Sequence, residues 1–303
     1  MTTAFGAIDL GSNSVRCLGV VHEDRRLKYL LSGRWNSRLS EGINDETKKF
    51  SPRALKRTLQ ALFEAAKMLE ERGILPRRTR FFATESLRSA EGVKDVIPMM
   101  EKTVGLPLQV VSGEEEARLS LEGSLLGVKG ADAVFDLGGG SLELACEGFA
   151  RSFRLGAVRM ASIYGDDASS ILKHARAILR DLRVRPGKLA GVGGTSSSVA
   201  MMVREIPWRD YHPARVHRCK IRKSELGRLR RNLSAMDLSA RQRVTGLEPS
   251  RADIIVPGIC VIEVLLDCLG LEAYIHGETD ILWAVCAEAA AEEGLETDFA
   301  VFC

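Results

Sequence analysis

The strongest constraint on how this chain folds is a six-residue element that occurs twice. Asp-Leu-Gly-x-x-Ser begins at Asp9 and again at Asp136, each time at the end of an apolar run and ahead of another one. In both copies short β-prone segments flank a small polar turn, which reads as strand, tight turn, strand. A dinucleotide loop or a P-loop would place a helix directly after its glycines, and neither GxGxxG nor GxxxxGK[ST] is present at these hairpins. With 303 residues the chain has the length of two domains. Two copies at domain spacing therefore predict a duplicated α/β architecture, with domains at 1–120 and 121–303 and the two hairpin loops facing across a cleft.

Several helices punctuate this plan. Ser51-Pro52 forms the expected N-cap and first helical position of a helix with Leu55, Leu59, Leu62, Ala66 and Leu69 on one face, stopped by Gly73. Ser112 caps a second helix and Glu115 falls three residues on, where it completes a capping box. Leu189-Ala-Gly-Val-Gly-Gly-Thr-Ser-Ser-Ser198 differs from the hairpins. It reads as strand, glycine turn, helix, so its N–H groups present a positive helix end. Ala252 to Leu269 is apolar nearly all round and predicts a buried helix.

Composition narrows the function classes. The longest uncharged apolar run, Ile254–Ile262, is too short to span a bilayer, which excludes a membrane protein of helical type. The N-terminus carries no basic region ahead of Asp9, so no secretory signal is read and a cytoplasmic location is expected. Seven scattered cysteines without a CxxC pair argue against a disulfide framework or zinc. A net charge of +3 gives no reason to expect DNA. Residues 204 to 231 are nevertheless rich in Arg and Lys, as a solvated basic face or as a surface for a polyanion.

Three small turns rich in Gly and Ser let backbone amides approach phosphate oxygens: Ser12, Asn13 and Ser14; Gly138, Gly139, Gly140 and Ser141; Gly193, Gly194 and Thr195. Asp9 and Asp136 end apolar runs, where an unpaired carboxylate is costly. A hard Mg²⁺ ion bound by Asp9, Asp136 and Glu143 together with phosphate oxygens would relieve that cost, as would hydrogen bonds from turn amides. Of the triplet Glu114, Glu115 and Glu116, the second belongs to the cap. Glu116 projects about 100° further round the helix and is the member available as a base. Arg16, Arg88 and Arg118 flank polar loops and suit either phosphate clamps or surface pairs.

Taken in order, Ala7–Arg16, Ala83–Arg88, Val111–Arg118, Asp136–Glu143, Leu155–Arg159, Gly191–Thr195 and Leu247–Asp253 make the chain resemble the exopolyphosphatase / guanosine pentaphosphate phosphohydrolase (Ppx/GppA) family, in its short, two-domain form. The resemblance implies two actin-like (ribonuclease-H-like) α/β domains, with the last helix packing back on the first. It also implies Mg²⁺-dependent release of the terminal phosphate of polyphosphate or guanosine pentaphosphate. Position by position, it makes Glu116 the catalytic glutamate, Asp136 and Glu143 the metal and water-orienting acids, and Arg88 and the Asn13–Ser14 turn phosphate contacts. Gly138–Ser141 and Gly193–Thr195 become phosphate loops. The chain departs from the family pattern at Leu142, Ser40 and Arg218, and the Gly-Leu-Arg-Glu-Gly signature is missing from Ile275–Trp283. Two other readings stand beside this one: an ATP-using phosphotransferase or ATPase of the same superfamily, and a non-catalytic sensor of such anions. Whether it forms a homodimer is left open by the sequence.

Overall fold

The computed structural model describes residues 2–41, 50–84 and 93–302. The chain divides into two units, one formed by Met1–Gly127 with Ile281–Cys303, the other by Val128–Asp280.

In the first unit β1 (Thr3–Leu10), β2 (Val15–Glu23) and β3 (Arg26–Trp35) form an antiparallel meander. Helix α1 (Pro52–Glu70) leads to β4 (Thr79–Ala83), and α2 (Val93–Val104) leads to β5 (Leu108–Val110). β4 lies parallel to β1 and β5 parallel to β4. Helix α3 (Gly113–Gly127) follows directly. Strands alternate their side chains between faces, so Ile8 and Leu10 enter one core with Leu62 and Leu69 of α1, while Phe5 and Ala7 enter another with Leu119 of α3. Covering both faces explains why these strands are apolar throughout. Ser51 caps α1 as expected, accepting from Ala54 N–H at 3.1 Å.

The second unit repeats this plan. β6 (Ala133–Leu137), β7 (Leu142–Cys146) and β8 (Phe149–Phe153) form the meander. Helices α4 (Ala157–Tyr164) and α5 (Ala168–Leu179) precede β9 (Leu189–Val192), and α6 (Gly194–Val203), α7 (Pro213–Val216), β10 (Lys220–Arg222), α8 (Lys223–Ser234), α9 (Leu238–Arg241) and α10 (Ile255–Leu269) precede β11 (Ala273–His276). The sheet order β8-β7-β6-β9-β11 matches β3-β2-β1-β4-β5 of the first unit. Each sheet gains a sixth strand, β10 in the second unit and β12 (Phe299–Val301) in the first. Helix α10 is buried on nearly every side. It begins at Ile255, three residues later than the apolar run, because Pro249–Arg251 form a 3-10 turn ahead of it. The last helix, α11 (Ile281–Glu292), belongs to the first unit, where Trp283 and Cys286 share a core with Phe5 and Leu119.

Candidate active site

The predicted chemistry falls at the C-terminal ends of the parallel strands, the usual edge for ligands in open α/β sheets. In the first unit the Gly11–Ser14 turn follows β1, and α3 with Glu116 follows β5. In the second, the Gly138 turn follows β6, Gly193 follows β9, and Glu278 follows β11.

The two hairpin turns close alike. Gly11 N–H donates to the Ser14 carbonyl at 3.0 Å and Gly138 N–H to the Ser141 carbonyl at 3.1 Å. Each turn is then held from behind through its carbonyls. The Ser12 and Asn13 carbonyls accept from Ser40 and Arg38 N–H, at 3.1 and 2.8 Å. The Gly138 and Gly139 carbonyls accept from Ala157 and Arg159 N–H at 3.0 Å each, and the Gly140 carbonyl from Arg159 Nε at 2.8 Å. Occupying the carbonyls in this way leaves the turn amides as the groups that can meet an anion. The backing is so close that a Cβ on Gly156 would lie 2.2 Å from the Gly139 carbonyl oxygen.

The acids differ between the hairpins. Asp9 pairs across the ladder with Arg16, and Asp136 with Glu143. Arg16 donates from Nε and Nη2 to Asp9 Oδ2 at 2.9 and 2.5 Å, so the guanidinium that suited a phosphate clamp holds a carboxylate here. Asp9 Oδ1 and Asn13 Oδ1 are buried and accept no hydrogen bond from the described residues. In the second hairpin Glu143 is 1 % and Asp136 7 % exposed, and Ser152 Oγ donates to Glu143 Oε1 at 2.6 Å. Two opposed, buried carboxylates repel unless a cation or a proton lies with them. Among the described residues no group of three or more His, Cys, Asp and Glu forms a metal cage. One or two acids whose remaining ligands are phosphate oxygens and water is the donor set that suits Mg²⁺, so Asp136 and Glu143 fit that ion. The orphaned Asp9 Oδ1 is a further buried oxygen of the kind a hard cation accepts.

The third loop is packed beside the second. Gly193 has φ of +90°, and a Cβ there would lie 2.6 Å from Asp136 Oδ1 and 2.7 Å from the Leu137 carbonyl, so only glycine fits. Thr195 is buried, with its methyl against Gly258. The Arg251 guanidinium lies so close over Gly194 that a Cβ would be 2.2 Å from its Nη2. Arg251 sits in the Leu247–Asp253 segment but was not singled out from the sequence. Its place over a loop some fifty residues earlier follows only from the fold.

The acidic triplet sorts by burial. Ser112 Oγ accepts from Glu115 N–H at 3.1 Å, the backbone half of the expected cap. The Glu115 carboxylate is taken by Arg118, with Oε1 at 2.7 Å, and this holds it below the ordinary carboxyl range. Arg118 also reaches Glu122 and Glu288, at 2.6 and 2.9 Å, which makes it a surface ion-pair residue. Glu114 is exposed, whereas Glu116 is only 8 % exposed and points inward from the same turn. Arg88 lies outside the described residues. In the basic stretch, Lys223 and Arg230 are paired with Asp267 and Glu263, both at 2.5 Å. No helix among the described residues is long and apolar enough to cross a membrane.

The Ppx/GppA phosphatase family model matches residues 20–280. The chain is 28 % identical to exopolyphosphatase 2 of Mycobacterium tuberculosis over 326 aligned positions, covering 95 % of this chain and 99 % of that protein. Crystal structures of an exopolyphosphatase from Cytophaga hutchinsonii and of the Ppx/GppA family member from Aquifex aeolicus are similar in fold. Their TM-scores are 0.82 and 0.80 at 22 % and 21 % identity, over 97 % of this chain and 99 % of theirs.

Proposed function

Because this chain belongs to the Ppx/GppA phosphatase family, we propose that it hydrolyses the terminal phosphoanhydride bond of inorganic polyphosphate or guanosine pentaphosphate, with Mg²⁺. The observation that carries the reading is the buried Asp136–Glu143 pair beside two glycine loops. Opposed acids ask for a divalent cation, and loops with occupied carbonyls offer N–H groups to phosphate. Bound there, Mg²⁺ would neutralise charge on the terminal phosphoryl group.

The chain's own residues do the rest. Amides of Gly138–Ser141 and Gly193–Thr195 bind the phosphate oxygens, together with the Ser12–Ser14 turn and Arg88. Arg16 holds Asp9 in place through two hydrogen bonds. Glu116, buried next in sequence to the Arg118-bound Glu115, accepts the proton of the attacking water and orients it in line with the leaving bridge oxygen. The similarity to a protein named exopolyphosphatase 2 supports polyphosphate ahead of the nucleotide as the substrate of this chain.

The test is phosphate release from long polyphosphate, short polyphosphate, guanosine pentaphosphate and ATP, with Mg²⁺ and with chelator. Release from polyphosphate or guanosine pentaphosphate that chelator stops supports the reading. Phosphate transferred from ATP to an acceptor selects a phosphotransferase, and Mg²⁺-dependent binding without turnover selects a sensor.

A further inference from the structure

The first turn of α6 is held by side chains from the end of β11 and the segment after it, in the stretch where the chain lacks the family's Gly-Leu-Arg-Glu-Gly signature. His276 is fully buried. Its Nδ1 lies 2.8 Å from Ser196 Oγ and its Nε2 lies 2.8 Å from Glu278 Oε1. A carboxylate only accepts, so Nε2 carries the proton that joins the pair. Glu278 also accepts from Ser197 Oγ at 3.1 Å on Oε1 and from Tyr211 Oη at 2.7 Å on Oε2, while its own N–H donates to His217 Nδ1 at 3.1 Å. Burial would push the Glu278 carboxyl up, but the bonds from His276, Tyr211 and Ser197 outweigh it and hold it below the ordinary range.

The order Ser196, His276, Glu278 resembles the hydroxyl, imidazole and acid of a nucleophilic triad, but Ser196 is fully buried and cannot meet a substrate. The chain of bonds ends instead on two consecutive residues of the helix whose N-terminus is the third glycine loop. Gly193 and Gly194, three residues ahead of Ser196 and Ser197 respectively, are partly exposed, as is Ser197, whereas Ser196 is buried. We infer that Glu278, through His276, Ser196 and Ser197, is a positioning residue that fixes the first turn of α6 so that the N–H groups of Gly193–Thr195 are preorganised for a phosphate. Fixed donors cost no reorganisation when the anion arrives, so loosening them weakens phosphate binding more than it slows the chemical step.

The inference rests on the phosphatase reading, and the experiment separates the two. KM and kcat for polyphosphate are measured in the wild type, Glu278→Ala, Glu278→Gln and Ser197→Ala, with orthophosphate affinity measured by calorimetry and thermal midpoints recorded. Glu278→Ala is expected to raise KM and weaken orthophosphate binding about tenfold, with kcat changed much less. Glu278→Gln keeps an acceptor for Ser197 and His276 and is expected to recover most of that loss. Ser197→Ala, which removes one hydroxyl and tests the idea should Glu278→Ala not fold, is expected to weaken binding about threefold. Unchanged KM and phosphate affinity in Ser197→Ala and Glu278→Ala, or a fall in kcat alone, overturns the inference. A wild type that binds orthophosphate but releases none from polyphosphate overturns the phosphatase reading, and the calorimetry still decides the positioning role.

Discussion

The two hairpins share a turn, a hydrogen-bond closure and a buried aspartate, yet they place opposite charges across from that aspartate. Arg16 faces Asp9, and Glu143 faces Asp136. The same backbone therefore sets a guanidinium against the acid in the first unit and a second carboxylate against it in the second. A salt bridge satisfies a buried carboxylate from within the protein, whereas a pair of carboxylates is satisfied only by something added. The first hairpin carries a countercharge within the chain, and the second presents a donor set that a divalent cation fits.

The largest expected effect lies outside both hairpins and measures what they serve. Glu116→Gln should lower phosphate release about 100-fold or more, while Glu115→Gln, whose carboxylate is already held by Arg118, should stay within about twofold. Next comes the second hairpin: Glu143→Gln should cost about 10- to 100-fold in Mg²⁺-dependent release. Without Mg²⁺ the same variant should melt no lower than the wild type, since it relieves a repulsion. A metal-free melt that falls sharply would break the contrast. Arg16→Gln should do the reverse, leaving Asp9 buried without its partner and costing about 3 kcal/mol of stability by denaturant titration. The smallest effect is a control remote from either hairpin. Asp167 caps α5, and hydrogen bonds from Ser170 and then Ser169 hold its carboxyl down to about 2, against an ordinary value of 3.8. A depressed carboxyl stabilises above its unfolded value, so this contribution should be present at pH 5 and lost as pH falls from about 4 towards 2. Melts of Asp167→Ala should show a slightly lower midpoint at pH 5 and a flatter fall below pH 4.

Much of this was readable in the chain because the signals are local. The repeated Asp-Leu-Gly-x-x-Ser names both hairpins, Ser51-Pro52 marks the start of α1, and the angular offset of Glu116 from Glu115 separates the buried acid from the more exposed one that binds Arg118. The Asp9–Arg16 and Asp136–Glu143 pairings were within reach too. A four-residue turn of fixed closure sets the register, and the register sets which side chains face each other. What was not readable depends on long-range packing: Arg251 over Gly194, and His276 and Glu278 against Ser196 and Ser197. No periodicity or cap encodes contacts made across eighty residues of chain. Those are also the contacts that hold the third loop, whose own glycine pattern was legible.

The central claim is that water, readied by Glu116, attacks the terminal phosphorus. Turnover of polyphosphate in water enriched in heavy oxygen tests it directly. The account predicts one heavy oxygen in each released orthophosphate, none in the shortened chain, and loss of this labelled product in Glu116→Gln. Label in the shortened chain, phosphate delivered to an acceptor without label, or undiminished labelled release by Glu116→Gln would contradict it.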